Sequence, residues 1–237
     1  MSGHSKWSTI KRQKAANDIA RGKVFSKLAR AITIAAKSGG TDPDTNYKLR
    51  VAIESARSEN MPKQTIERAI NKAGGELILE EVTYEGFAPG GVGILVNVAT
   101  DNRNRTSQII KNIFERFGGS LGGPGSVSFN FELKGYLLIE KDKDYESQIL
   151  SLIDLGVEEM DEDEKEIEVF TNSQDLFNFK TKIEQKGFKV LKAQLVQKPK
   201  NFVYVDSKNQ EKLLELIDEL ESCEDVTSVY DNVAINQ

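Results

Sequence analysis

Cysteine and histidine occur once each in this 237-residue chain, as Cys223 and His4, and tryptophan once, as Trp7. A single cysteine excludes an internal disulfide and a cysteine-rich zinc site. His4 has no Asp or Glu near it in sequence to orient its ring, which argues against a histidine-based general base. No apolar run approaches the roughly 18 residues needed to span a bilayer. The opening stretch is basic and polar, without the apolar core of a secretory signal. The expected location is therefore cytoplasmic, with no membrane partner. What is present is ordinary for a globular protein: 38% hydrophobic and 29% charged residues, which excludes wholesale disorder. The length suits two or three small domains.

The net charge of −5 conceals a segregation of sign. Residues 1–75 hold 15 Lys and Arg against 6 Asp and Glu, a local charge of +9, and the remaining 162 residues carry −14. From Ser2 to Lys37 nine cations face Asp18 alone. Such a distribution points to an N-terminal segment made for a polyanion and a body that is not.

Residues 1–22 have no sustained apolar face and are expected to be a flexible basic arm. From Val24, apolar residues at Phe25, Leu28, Ala31, Ile32 and Ala35 recur at helical spacing and predict a helix of about fourteen residues, closed by Gly39 and Gly40. A second helix is expected from Thr45 to Glu59 and a third from Pro62 to Ala73, giving a three-helix domain over 23–75. EEVTYEGFAP and GVGILVNVAT read as a hairpin about Pro89, Gly90 and Gly91, followed by a helix from Arg103 to Phe117. In SVSFNFEL, Val127, Phe129 and Phe131 alternate with Ser128, Asn130 and Glu132, which predicts a half-buried strand. Residues 134–199 read as βαββαβ, the ferredoxin-like order. The remainder, a strand at NFVYVDS, a helix at KNQEKLLELIDELES and a strand at DVTSVYDNVAI, cannot close a domain alone. The fold expected is α+β and multidomain: a helical domain, a discontinuous α/β domain over 76–133 plus 200–237, and an inserted ferredoxin-like domain over 134–199.

The candidate nucleic-acid contacts are His4, Lys6, Trp7, Lys11, Arg12, Lys14, Arg21, Lys23, Lys27 and Arg30, with Arg103 and Arg105 of DNRNRT. A charge cluster is usually a solvated surface, but nine cations against one acid repel one another unless a polyanion neutralises them. Trp7 among them is suited to stacking on an unpaired base. Asp101 reads as the helix cap, and Arg103 and Arg105 sit where the helix dipole disfavours cations, so they either pair with acids or await phosphate. GGSLGGPGS follows a helix, precedes a strand and has no lysine, the reverse of a phosphate-binding P-loop, and reads as a mobile finger or a plain connection. The acidic run from Asp161 to Glu168 reads as a solvated hairpin, not a metal site.

Several separated blocks then resemble the YebC/PmpR family: SGHSKWSTIK with RGKVFSKLAR, DPDTNYKLRVAIESARSENMPKQTIERAI, YEGFAPGGVGILVNVATDNRNRT, GGSLGGPGSVSFNF and LLELIDELESCEDVTSVYDN. Two positions depart from the pattern, Ala31 where an acid is expected and Asn130 where a bulky apolar residue is expected. The resemblance implies a helical domain followed by two α/β domains, one interrupting the other. It also implies a non-catalytic regulator of gene expression without a cofactor or metal. Two partners stay open: rRNA or tRNA on the ribosome, for a translation factor easing elongation through proline runs, or promoter DNA, for a transcriptional regulator. The absence of a clear recognition helix or dimer seam favours RNA and a monomer.

Overall fold

A computed structural model describes residues 6–7, 20–74, 79–157 and 159–235. The first helix, α1 (Ala20–Gly39), begins four residues earlier than the apolar pattern signals, because Ala20 to Lys23 need no buried face to extend a helix that the bundle already holds. It packs on α2 (Tyr47–Ser58) and α3 (Lys63–Asn71) through Ile32, Ala36, Leu49, Ile53, Ala56, Ile66 and Ala69. Asn46 organises the first corner. Its Oδ1 caps α2 by accepting from Leu49 N at 3.1 Å, and its Nδ2 donates to Ala35 O and Gly40 O, carbonyls in and just past the last turn of α1. At the second corner Asn60 adopts φ 60°, a left-handed conformation that asparagine tolerates, and Pro62 stands one position before α3 instead of inside its first turn.

The second unit is an antiparallel sheet of order β4-β2-β3-β9. Its hairpin β2 (Glu80–Ala88) and β3 (Val92–Thr100) pairs in register from Glu80↔Thr100 to Ala88↔Val92. Short β4 (Ser120–Leu121) borders β2, and β9 (Val226–Asp231) borders β3. Helices α4 (Arg103–Arg116) and α7 (Ser207–Ser222) cover one face, burying Ile94, Val96, Val98, Ile110, Phe114, Leu213, Leu216 and Ile217. Burial of each such side chain contributes about 1.5–3 kcal/mol. Central β3 is buried on both faces, because Leu95 on the second face meets Val127 and Phe131.

The third unit runs β5 (Phe131–Glu140), α5 (Tyr145–Asp154), β6 (Glu159–Glu162), β7 (Glu166–Asn172), α6 (Leu176–Gln185) and β8 (Val190–Pro199). Its antiparallel order β6-β7-β5-β8 is ferredoxin-like. The helices cover Leu137, Ile139, Ile167 and Val169. On the opposite face Tyr136, Phe170 and Val196 pack with Leu138 and with Tyr230 of β9. The helical unit also touches this one: Val51 enters its core, and Lys180 pairs with Glu54 at 2.9 Å.

The structure corrects several local readings. Residues Ser128–Asn130 form a 3-10 turn and not a strand; Phe129 is 72% exposed while Asn130 is buried, the inverse of the alternation. Asn130 goes inside because its amide bonds Asn201, a partner distant in sequence. NFVYVDS contributes only an isolated parallel bridge, Val203↔Val233, and β10 (Ala234–Ile235) leaves the main sheet. Residues Lys6–Trp7, expected to lack regular structure, form a short strand β1 antiparallel to β10, through Lys6↔Ile235 and Trp7↔Ala234. The cap of α4 is Asn102, not Asp101.

Candidate nucleic-acid interface

Among the sequence-derived candidates, His4, Lys11, Arg12 and Lys14 lie outside the described residues. Lys6 and Trp7 are placed on β1, and Arg21 and Lys23 at the start of α1. One helical turn apart, Lys27 and Arg30 face the second unit instead of solvent. Lys27 Nζ donates to Glu221 O, at the end of α7. Arg30 Nη1 donates to Asp225 Oδ1 at 2.6 Å and to Ala99 O at 2.8 Å.

Asp225 is the centre of this junction. It lies in the turn between α7 and β9 and is buried. Beside Arg30, it accepts from Arg105 Nη2 at 2.9 Å and from Thr106 Oγ1 at 2.6 Å, and Thr100 Oγ1 approaches at 3.4 Å. Burial alone would raise the Asp225 carboxyl. The bonds from Thr106, Arg105 and Arg30, with the Arg30 charge, outweigh it and hold the group below the usual carboxylate range. Arg105 also pairs with Asp101 at 2.8 Å, and bonding to Asp225 and Asp101 raises its guanidinium further. These side chains, with Ile109, Cys223 and Glu224, line an open cleft of about 460 Å³ between α1, α4 and the end of α7.

Arg103 and Arg105, alike in sequence, thus separate in space. Arg105 is committed to two carboxylates, the ion-pair alternative of the sequence reading. Arg103 is exposed and has no acidic partner within 4.0 Å among the described residues, while its carbonyl accepts from Tyr84 Oη at 3.1 Å. Arg30 and Lys27 act as ties between units. Among the described residues no group of three or more His, Cys, Asp or Glu is placed to hold a metal.

The glycine-rich loop is clamped, not a loose finger. Glu85, buried on β2, accepts from Gly125 N and Val127 N at 2.7 Å and from Ser128 N at 2.8 Å, and its own carbonyl accepts from Gly122 N. Burial would raise this carboxyl too, but the three backbone donors hold it below its ordinary value. A side chain is resisted at two contacts: a Cβ on Gly93 would lie 2.7 Å from Val127 Cγ1, and one on Gly119 would lie 2.6 Å from the carbonyl oxygen of Phe87. Neither Glu85 nor Asp225 was singled out from the sequence. An acid in a strand and an acid after a helix carry no signal until their partners, 40 and 195 residues away, are placed.

Residues 5–76 match the model of the TACO1/YebC protein N-terminal domain, and residues 79–233 that of the TACO1/YebC second and third domain. The chain belongs to the TACO1/YebC family. Its relatives include proteins named probable transcriptional regulatory protein from Dictyoglomus turgidum, 46% identical over 99% of this chain and 96% of the relative, and from Citrifermentans bemidjiense, 44% identical over 100% and 97%. A conserved hypothetical protein of Aquifex aeolicus of known crystal structure superposes with a TM-score of 0.86 at 40% identity, covering 98% of this chain and 97% of that one. This TACO1/YebC chain has an α+β fold, and its relatives carry a regulatory name. No helix among its described residues is long and apolar enough to cross a membrane.

Proposed function

We propose that this protein is a non-catalytic, cytoplasmic RNA-binding factor of the YebC type that associates with the ribosome, acts in translation at proline runs, and grips rRNA or tRNA through its basic N-terminal arm. The observation that carries the reading is the segregation of charge: +9 over residues 1–75 against −14 over the rest. Cations that neutralise phosphates release counterions, and a one-signed segment on an acidic body is suited to that and to little else. The commitment of Lys27 and Arg30 to the second unit supports assigning the grip to the residues before them. Trp7 adds an aromatic ring to the cationic segment, a pairing that serves unpaired bases better than a duplex.

The second reading is a DNA-binding transcriptional regulator, and the name of the relatives favours it. The helices α1, α2 and α3 direct their apolar faces into one bundle core, and none stands out as a helix for the major groove. Co-sedimentation with ribosomes before and after nuclease treatment, beside gel shifts on duplex DNA, separates the two. Ribosome association lost on nuclease treatment, with weak and sequence-indifferent duplex binding, is expected. Tight, sequence-selective duplex binding without ribosome association would replace this reading by the second.

A further inference from the structure

We infer that Phe129 and Lys200 form a second contact for single-stranded RNA, remote in sequence from the arm: the ring stacks on an unpaired base and the ammonium pairs with a neighbouring phosphate. The inference rests on the proposed RNA-binding function and extends it to the body of the protein.

Phe129 is 72% exposed, the most exposed of the large apolar side chains among the described residues. Exposure of one apolar residue means little by itself. Here, however, the residue stands on a turn fixed from both sides. On one side Val127 N and Ser128 N bind the Glu85 carboxylate, and Val127 packs in the interior. On the other, buried Asn130 exchanges bonds with Asn201: Nδ2 donates to Asn201 O at 2.9 Å, and Oδ1 accepts from Asn201 N at 3.0 Å. Lys200 N donates to Asn130 O at 2.8 Å, and Asn232 Nδ2 donates to Asn201 O. A ring held on so rigid a base loses little conformational freedom when a ligand covers it.

Charge selects the ligand. The body is acidic, yet from Phe117 to Ile139 Glu132 is the sole acid, and from Gln185 to Val205 there are five lysines and none. Strand pairing joins these two stretches, Phe131↔Pro199 and Glu132↔Lys198. Lys198 and Lys189 are engaged by Glu159 and Glu140. Lys200 is exposed, its Nζ lies 3.2 Å from the carbonyl of Phe129 itself, and among the described residues it has no carboxylate partner. Ser128, next to Phe129 in sequence, and Gly123 and Gly125 of the preceding loop are exposed and small, so a nucleic-acid backbone can come close. The sheet face of the ferredoxin-like unit, where related folds stack bases, is closed to this role: Tyr136 and Phe170 are buried there, with Glu168 beside them on the same face.

The test is titration of the full-length protein into an unstructured RNA oligonucleotide carrying a fluorescent adenine analogue. Phe129→Ala should weaken binding about 5- to 150-fold, leave the salt dependence unchanged and reduce the fluorescence change of stacking to the part owed to Trp7. Phe129→Trp should bind at least as tightly as the parent, and Phe129→Leu should behave like the alanine variant. Lys200→Ala should lower the slope of log affinity on log salt by about 0.7. Because both side chains are exposed, thermal unfolding of each variant should match the parent. Wild-type RNA binding matched by Phe129→Ala would overturn this site and leave the arm reading standing. Full RNA binding by Phe129→Leu would also overturn it, since a side chain without a π face would then serve as well. Absence of RNA binding by the parent protein would overturn both readings.

Discussion

Replacing Asp225 by alanine should loosen the attachment of the helical unit to the second unit far more than one surface residue ordinarily would. The carboxylate is buried and accepts short bonds from Arg30 and Thr106, each at 2.6 Å. Hydrogen bonds to a charged group contribute about 1.5–3 kcal/mol each. Part of the loss is recovered, because Arg30 keeps Ala99 O and Thr106 keeps Thr100 Oγ1 and Asn102 O. The half-exposed Arg105 adds little, because solvent screens its pairing with Asp225. The net cost is about 3 kcal/mol, which is on the order of 100-fold faster local opening. A molecule of three units need not unfold in one step, so the suitable assay is native-state hydrogen exchange, read at α1 and at the β3–β9 border, where Ala99 N donates to Asp225 O. Arg30→Ala should show the same regional effect, and the double variant should cost less than the sum by about 1 kcal/mol or more. Exchange at α1 unchanged by Asp225→Ala, or strict additivity with Arg30→Ala, would refute the assignment of Asp225 as the tie.

Glu85→Gln puts an amide hydrogen-bond donor against one of the backbone donors that the carboxylate now accepts, and should cost about 1–3 kcal/mol, with faster exchange confined to Gly125, Val127 and Ser128. Asn46→Ala removes a cap and the donor to Gly40 O, while Ala35 O keeps Ser38 Oγ, so the helical unit should lose about 1–3 kcal/mol, measured by thermal unfolding followed by circular dichroism. The carboxyls of Glu54, Glu85 and Asp225 lie lower in the folded protein than in the unfolded chain. Their contribution is therefore present at neutral pH and is lost as pH falls below about 4, through the depressed folded values. Stability followed downward through this range should decline, and Asp225→Asn with Glu85→Gln should flatten that decline; an unchanged acid profile would contradict the sign.

The elements with regular periodicity were legible in the sequence. Ile32, Leu49, Ile53 and Ile66 fall on helical faces that do meet in one core, and the hairpin at Pro89–Gly91 and the βαββαβ order are as the pattern implies. The readings that failed are those in which a distant partner outweighs local pattern. Asn130 is drawn inside by Asn201, which turns Phe129 outward and replaces a predicted strand with a turn. Val203 makes one bridge where a strand was predicted, because β9 already borders β3. The glycine loop gave no hint that Glu85 fixes it. Of the cations in the candidate site, Arg30 and Arg105 look no different in sequence from Arg103, and only the position of Asp225 distinguishes the two that pair with it.

The central claim is that the arm grips RNA by its phosphates, and the salt dependence of binding tests it most directly. Lys6, Lys11, Arg12 and Lys14 are converted together to alanine in the full-length protein. For single strands the slope of log affinity against log salt is about −0.7 per phosphate contact, so four lost contacts should reduce its magnitude by roughly 3 units. Affinity should fall alike for every RNA sequence. A quadruple variant that binds ribosomes and RNA with unaltered affinity and slope would contradict the account.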